Sequence, residues 1–107
     1  MGYMITVLHL PPSMAELAAI HPPVTFSVSS FCDTGLTASG KWTVPGVAGC
    51  SPEYPFGTRF ILADGQVLVC EDRGLLVTFR YLDIWAPSCE AALVWGRRRM
   101  TAWTIEE

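Results

Sequence analysis

Lysine is almost missing from this chain: one lysine and six arginines face ten acids, for a net charge of −3 in 107 residues. A surface so poor in positive charge has no electrostatic footprint for tracking a phosphate backbone, so nucleic acid is not an expected partner. The only basic cluster, Arg97 to Arg99, reads as a solvated strand end. Long apolar runs are also lacking. The apolar stretch at residues 3–10 is broken by Pro11-Pro12 and carries no basic region before it, so neither a cleavable leader nor a membrane span is expected. A cell-wall or extracellular location would then require delivery by another route. No C-x-x-C pair occurs among Cys32, Cys50, Cys70 and Cys89, which argues against a zinc site, and neither a metal nor another cofactor is expected. The four cysteines allow three disulfide pairings, or buried free thiols.

Half of the residues are hydrophobic and only 16% are charged, the balance of a chain that builds a packed core. Its length suits one domain, expected to be a monomer. Residues 1–23 read as an N-terminal appendage: Ser13-Met-Ala-Glu16 has capping-box spacing, and Met14 to Ile20 makes two helical turns before Pro22-Pro23 stops them. Residues 24–107 read as a β domain. Val24, Phe26 and Val28 alternate with Thr25, Ser27 and Ser29, the period of a half-buried strand. Turn-forming residues from Asp33 to Gly40 precede an extended segment at Trp42 to Ala48, and Pro55-Phe-Gly57 leads into Thr58 to Ala63. Asp64-Gly65 predicts a hairpin pairing Phe60–Leu62 antiparallel with Val67–Val69. Arg80 to Trp85 and Arg99 to Ile105 supply two more strands, and Ser88 caps a short helix that runs through Trp95 and ends at Gly96. The fold class is therefore all-β, a barrel of six short strands with one short helix.

Two carboxyls stand among apolar neighbours, Asp72 after Val69-Cys-Glu and Asp83 within Tyr81-Leu-Asp-Ile-Trp85. Such a setting disfavours the charged form and raises a pKa toward the range of a general acid. The plainer readings are a turn aspartate bonding its own backbone at Asp72, and a strand carboxylate paired with an arginine such as Arg80 at Asp83. Trp42, Trp85, Trp95 and Trp103 have rings able to stack on a sugar face, although core packing is the ordinary fate of a large aromatic residue.

Five short motifs occur in order: Thr-Ala-Ser-Gly at 37–40, Pro-Phe-Gly-Thr at 55–58, Glu-Asp-Arg-Gly at 71–74, Leu-Asp-Ile-Trp at 82–85 and Trp-Gly-Arg-Arg at 95–98. Together they resemble the three-aspartate (3D) domain, a double-psi β-barrel of lytic transglycosylases and stationary-phase cell-wall proteins, over about residues 25 to 105. The resemblance implies a partner, peptidoglycan or a related polysaccharide. It also implies site residues, with Asp83 as acid and then base, Asp72 as its supporting carboxylate, and Trp85, Trp42, Thr37 and Ser39 contacting glycan. At the place of the family's first aspartate this chain reads Ala48-Gly-Cys50-Ser-Pro, with Cys50 in its position. A thiol supplies neither the charge nor the two acceptor oxygens of a carboxylate. The same resemblance brings the segments of Cys50 and Cys70 together around the groove, where the two either bridge or remain separate buried thiols. A non-catalytic, expansin-like glycan-binding module is the alternative reading.

Overall fold

The computed structural model describes residues 21–74 and 80–105. The helix expected at Met14 to Ile20 lies outside them. Six strands form a closed barrel: β1 (Val24–Phe31), β2 (Val47–Cys50), β3 (Arg59–Leu62), β4 (Val67–Arg73), β5 (Tyr81–Trp85) and β6 (Arg98–Ile105), with one helix, α1 (Cys89–Trp95), between the last two. Around the barrel the order is β1-β5-β2-β4-β3-β6. Two pairings, β1 with β5 and β2 with β4, are parallel, and the other four are antiparallel. Within the described residues this is the all-β barrel with one short helix that the sequence predicts for residues 24–107.

The alternation read in β1 holds, since Phe26 and Val28 point inward and are fully buried. They meet Phe60 and Leu62 of β3, Leu68 of β4 and Leu82 of β5 in one core. Phe26, Tyr54 and Phe60 form its aromatic cluster, with ring centroids 5.2–5.9 Å apart. Trp95 is half-buried and packs against this core, as expected of a large aromatic residue, whereas Trp42 and Trp103 are exposed, which corrects that expectation for them. An indole N–H needs an acceptor, and Trp85 and Trp95 reach theirs from half-buried places, on the Asp33 carbonyl at 2.8 Å and the Val28 carbonyl at 3.0 Å.

The hairpin forms as expected. Phe60 faces Leu68 and Ile61 faces Val67. Gly65 takes a φ of 95° and donates to the Leu62 carbonyl, while the Asp64 carboxylate accepts from the Gln66 backbone N–H. α1 begins where Ser88 accepts from the Ala91 N–H and ends at Gly96, with a φ of 68°. The segment expected to be extended from Trp42 is different. Pro45 and Gly46, at a φ of 96°, interrupt it, so β2 starts only at Val47.

All four cysteines are paired, Cys32 with Cys89 and Cys50 with Cys70. The first bridge ties the end of β1 to the start of α1. The second joins the parallel neighbours β2 and β4 from inside the barrel, where Cys50 and Cys70 are buried.

Candidate active site

The outer faces of four adjacent strands carry one row of residues. Ser29 on β1 lies opposite Asp83 on β5, Asp83 opposite Gly49 on β2, and Gly49 opposite Asp72 on β4. Paired residues in a sheet point their side chains to the same face, so the two carboxyls named from the sequence share one groove. Two strand spacings of about 4.8 Å separate their backbones.

Asp72 reaches this row through a bulge. Ala48 pairs with Cys70, but Gly49 pairs with Asp72, so Glu71 is an extra residue on β4. Without it Gly49 would face Glu71, and Asp72 would point the other way; bulges redirect side chains in this manner. Asp72 is thus a strand residue and not the turn residue of the plainer reading. Its Oδ1 accepts from the backbone N–H groups of Ala38 at 3.0 Å and Arg73 at 2.9 Å, which holds the carboxylate to the loop that borders the groove.

Gly49 was not singled out in the sequence, and it forms the floor between the acids. A Cβ there would sit 3.2 Å from the Gly74 nitrogen and 3.6 Å from the Asp83 Cβ. A bare backbone keeps the space between the carboxyls open. Cys50, one residue on, points into the core and is bonded to Cys70, so it does not stand in the groove where an aspartate was expected. The inward and outward faces of β2 differ by a single residue, and a spacing match cannot tell them apart.

Asp83 is held by a chain of hydroxyls. The Ser29 hydroxyl donates to its Oδ1 at 3.2 Å, and the Tyr81 hydroxyl lies 2.7 Å from the Ser29 Oγ. While Asp83 is ionised, Ser29 gives its one hydrogen to the carboxylate and Tyr81 donates to Ser29; a protonated Asp83 allows both bonds to reverse. The Tyr81 ring is fixed beneath Gly74, where an added Cβ would lie 2.6 Å from the Tyr81 Cε2. Burial pushes the Asp83 carboxyl above the ordinary aspartate value of 3.8, against the pull of the Ser29 hydroxyl; the Asp72 charge pushes it up as well, while Tyr81 and Arg97 pull it down. Arg97, Arg98 and Arg99 are all exposed, as the reading of a solvated cluster expects, and Arg97 is the weakest of these influences on the carboxyl.

The groove opens into a cleft of about 320 Å³, whose lining includes Asp33, Leu36, Thr43, Gly49, Asp72 and Asp83. Asp33 is a third aspartate that the sequence reading did not pick out. Its position is set from two sides, by the bridge at Cys32 and by the indole of Trp85 on its carbonyl. A signal existed in Asp33-Thr-Gly directly after a strand, but turns of that composition are common on any barrel. Arg73 closes the inner end, its Nη1 3.3 Å from the sulfurs of both Cys50 and Cys70 and its guanidinium 4.0 Å from the centre of the Phe56 ring.

The other residues named from the sequence occupy different places. Trp85 does not line the cleft itself and is tied to it only through its indole N–H bond to the Asp33 carbonyl. Thr37 is buried, and its hydroxyl donates to the Lys41 carbonyl at 2.7 Å and lies 3.1 Å from the Ser39 hydroxyl, so both shape the bordering loop. Trp42 lines a separate groove on the other side of that loop. Among the described residues, no group of three or more His, Cys, Asp or Glu side chains is arranged to hold a metal ion, and no helix is long and apolar enough to cross a membrane.

No family model matches the chain, and no curated protein or solved structure matches it.

Proposed function

We propose that the chain cleaves peptidoglycan glycan strands as a lytic transglycosylase, with Asp83 as the acid and then the base. The observation that carries this reading is Asp83 itself: a half-buried carboxyl with a raised pKa, positioned by Ser29, beside a second carboxyl in an open cleft. The sequence resemblance to the 3D domain supplies the substrate class and the reaction.

In the proposed reaction, protonated Asp83 gives its proton to the oxygen linking N-acetylmuramic acid to N-acetylglucosamine, and the bond from C1 to that oxygen breaks. Positive charge develops at C1 and the ring oxygen, where Asp72 stabilises it. The C6 hydroxyl of the same muramyl sugar then attacks C1, and its proton passes to the Asp83 carboxylate. The product is a 1,6-anhydro sugar, no water is consumed, and the acid is regenerated. One carboxyl suffices for both proton transfers, in contrast to hydrolysis by a carboxylate pair. The reversible bonds of Ser29 and Tyr81 accommodate both states of Asp83.

A second reading, a glycan-binding wall module without catalysis, is favoured by one observation: β2 presents a bare Gly49 to the groove, and the Cys50 side chain is turned inward. Incubation with purified sacculi and mass spectrometry of the soluble products separates the two. Anhydro-muropeptides from the wild type and none from Asp83→Asn support the enzyme; co-sedimentation with sacculi without release supports the module. Unchanged release by Asp83→Asn removes Asp83 from the mechanism.

A further inference from the structure

On the far side of the loop at residues 36–44 from the cleft lies a second groove of about 340 Å³, lined by Lys41, Trp42, Val44, Val67 and Glu71 among others. Trp42, Val44 and Val67 are 64%, 51% and 54% exposed, so three large apolar side chains converge on one solvent-facing site. Convergent exposure of this kind marks a contact surface more than scattered apolar residues do. The loop is also held in place before any ligand arrives. Leu36 bridges to Trp42, the Thr43 N–H donates to the Gly35 carbonyl at 2.9 Å, and the Ser39 N–H donates to the Glu71 carbonyl at 3.0 Å.

Glu71 lies at one end of this groove. Its side chain is only 9% accessible, and its Oε2 is 3.5 Å from the Lys41 ammonium, which is largely exposed. The extra position that turns Asp72 into the cleft is thus occupied by a carboxylate that lines the second groove. One bulge serves both surfaces.

The chemistry narrows the occupant. A lipid chain offers no hydrogen-bonding group to the Glu71 carboxylate or the Lys41 ammonium at the end of the groove. An extended peptide cannot add as a strand, because every strand of the closed barrel is paired on both sides. A sugar ring satisfies both halves of the groove, with an apolar face for the Trp42 indole and a rim of hydroxyl and amide groups for the carboxylate and ammonium. The loop itself separates the surfaces, since Thr43 faces the cleft while Trp42 and Val44 face the groove. A glycan longer than the cleft would cross that wall.

We infer that this groove is a second saccharide site, with Trp42 as the stacking surface and Glu71 and Lys41 as its hydrogen-bonding end. The inference rests on the glycan reading of the cleft, yet it has its own readout. Isotope-labelled Asp83→Asn protein, which should not turn over ligand, is titrated with the tetramer of N-acetylglucosamine while backbone and indole N–H resonances are followed. The expected result is a saturable shift of Trp42 and Val67 signals, weakened at least tenfold at Val67 by Trp42→Ala and severalfold by Glu71→Gln. Exposed Trp42 can be removed without opening the core, and shifts at Gly49 and Gly74 in the same spectra report that the cleft remains folded. Val67 shifts unaltered by Trp42→Ala, or no groove shifts at millimolar ligand, would overturn the inference. Cleft shifts without groove shifts leave the glycan reading standing and remove the second site. Groove shifts without cleft shifts do the reverse.

Discussion

Asp83 faces two opposing demands, because the burial that suits it to the proposed acid role also makes it costly to ionise. Its pKa is raised in the fold, chiefly by desolvation. Below the ordinary value of 3.8 the folded and unfolded chains both hold the proton, and the group contributes nothing. As pH rises above that value the unfolded chain ionises first, so stability falls until the folded carboxyl has also ionised, and the deficit then persists. Asp83→Asn removes this penalty while keeping the shape and an acceptor for Ser29. Urea unfolding should therefore find the variant more stable than wild type near pH 7 and matched to it near about pH 3, whereas an equal difference at both pH values would show that ionisation is not the cause. Gly74 offers a second test beside it. Gly74→Ala places a Cβ 2.6 Å from the Tyr81 ring, which is buried and must shift. The expected cost is about 1–3 kcal/mol, with a further rise in the Asp83 pKa as the Tyr81 hydroxyl leaves Ser29. A carbon-detected NMR titration of Asp83 measures that rise; an unchanged midpoint would mean that the hydroxyl chain does not tune the acid. At this scale the sequence was legible in part. Asp72 and Asp83 announced themselves by their apolar neighbours, but Ser29, Tyr81 and Gly49 acquire meaning only when β1, β5 and β2 lie side by side.

Most elements whose causes are local could be read directly, the break at Pro45-Gly46 before β2 being an exception, and those set by distant partners could not. The alternation of Val24–Phe31, the Asp64-Gly65 hairpin and the helix between Ser88 and Gly96 all follow from neighbouring residues, and all are present. The barrel order and the parallel pairs are not local properties, since β1 and β5 pair across more than fifty positions. Nothing in Val-Cys-Glu-Asp-Arg marks Glu71 as a bulge; it is revealed only by the register of β4 against β2. The two legible turns should differ in their tolerance of change. Gly65→Ala forces a side chain into a φ of 95°, and its expected cost is roughly 1–2 kcal/mol. Ser88→Ala removes the acceptor for the Ala91 N–H and should cost about 1 kcal/mol. Thermal unfolding monitors both, and hydrogen exchange distinguishes them. The cap variant should loosen α1, which has no buried residue, while the hairpin variant should loosen the β3–β4 ladder within the core. Protection lost uniformly in either variant would contradict this division.

For the molecule as a whole, the two disulfides have different tasks although both close long loops. Cys32–Cys89 spans 57 positions and fastens the peripheral helix, whereas Cys50–Cys70 spans 20 and lies inside the barrel. On loop entropy alone, removing them should cost about 4 and about 3 kcal/mol respectively. Packing reverses the order. Cys50 and Cys70 are buried in the core, so Cys50→Ala/Cys70→Ala also leaves unfilled space, and it deprives the Arg73 guanidinium of both sulfur contacts. Arg73 follows Asp72 directly and donates its backbone N–H to that carboxylate, so disturbance passes to the groove. Cys32→Ala/Cys89→Ala, by contrast, opens a contact at the barrel's edge beside Asp33. We therefore expect the inner pair to be the costlier loss in stability by 1 kcal/mol or more, on the order of one buried methylene group or two. Denaturant unfolding of the two double variants under identical conditions measures the ranking, and thiol titration of unreduced, denatured wild type should find no free cysteine. A larger loss from the outer pair would mean that loop length, and not the packing of sulfur and guanidinium beneath the groove, governs what these bridges contribute.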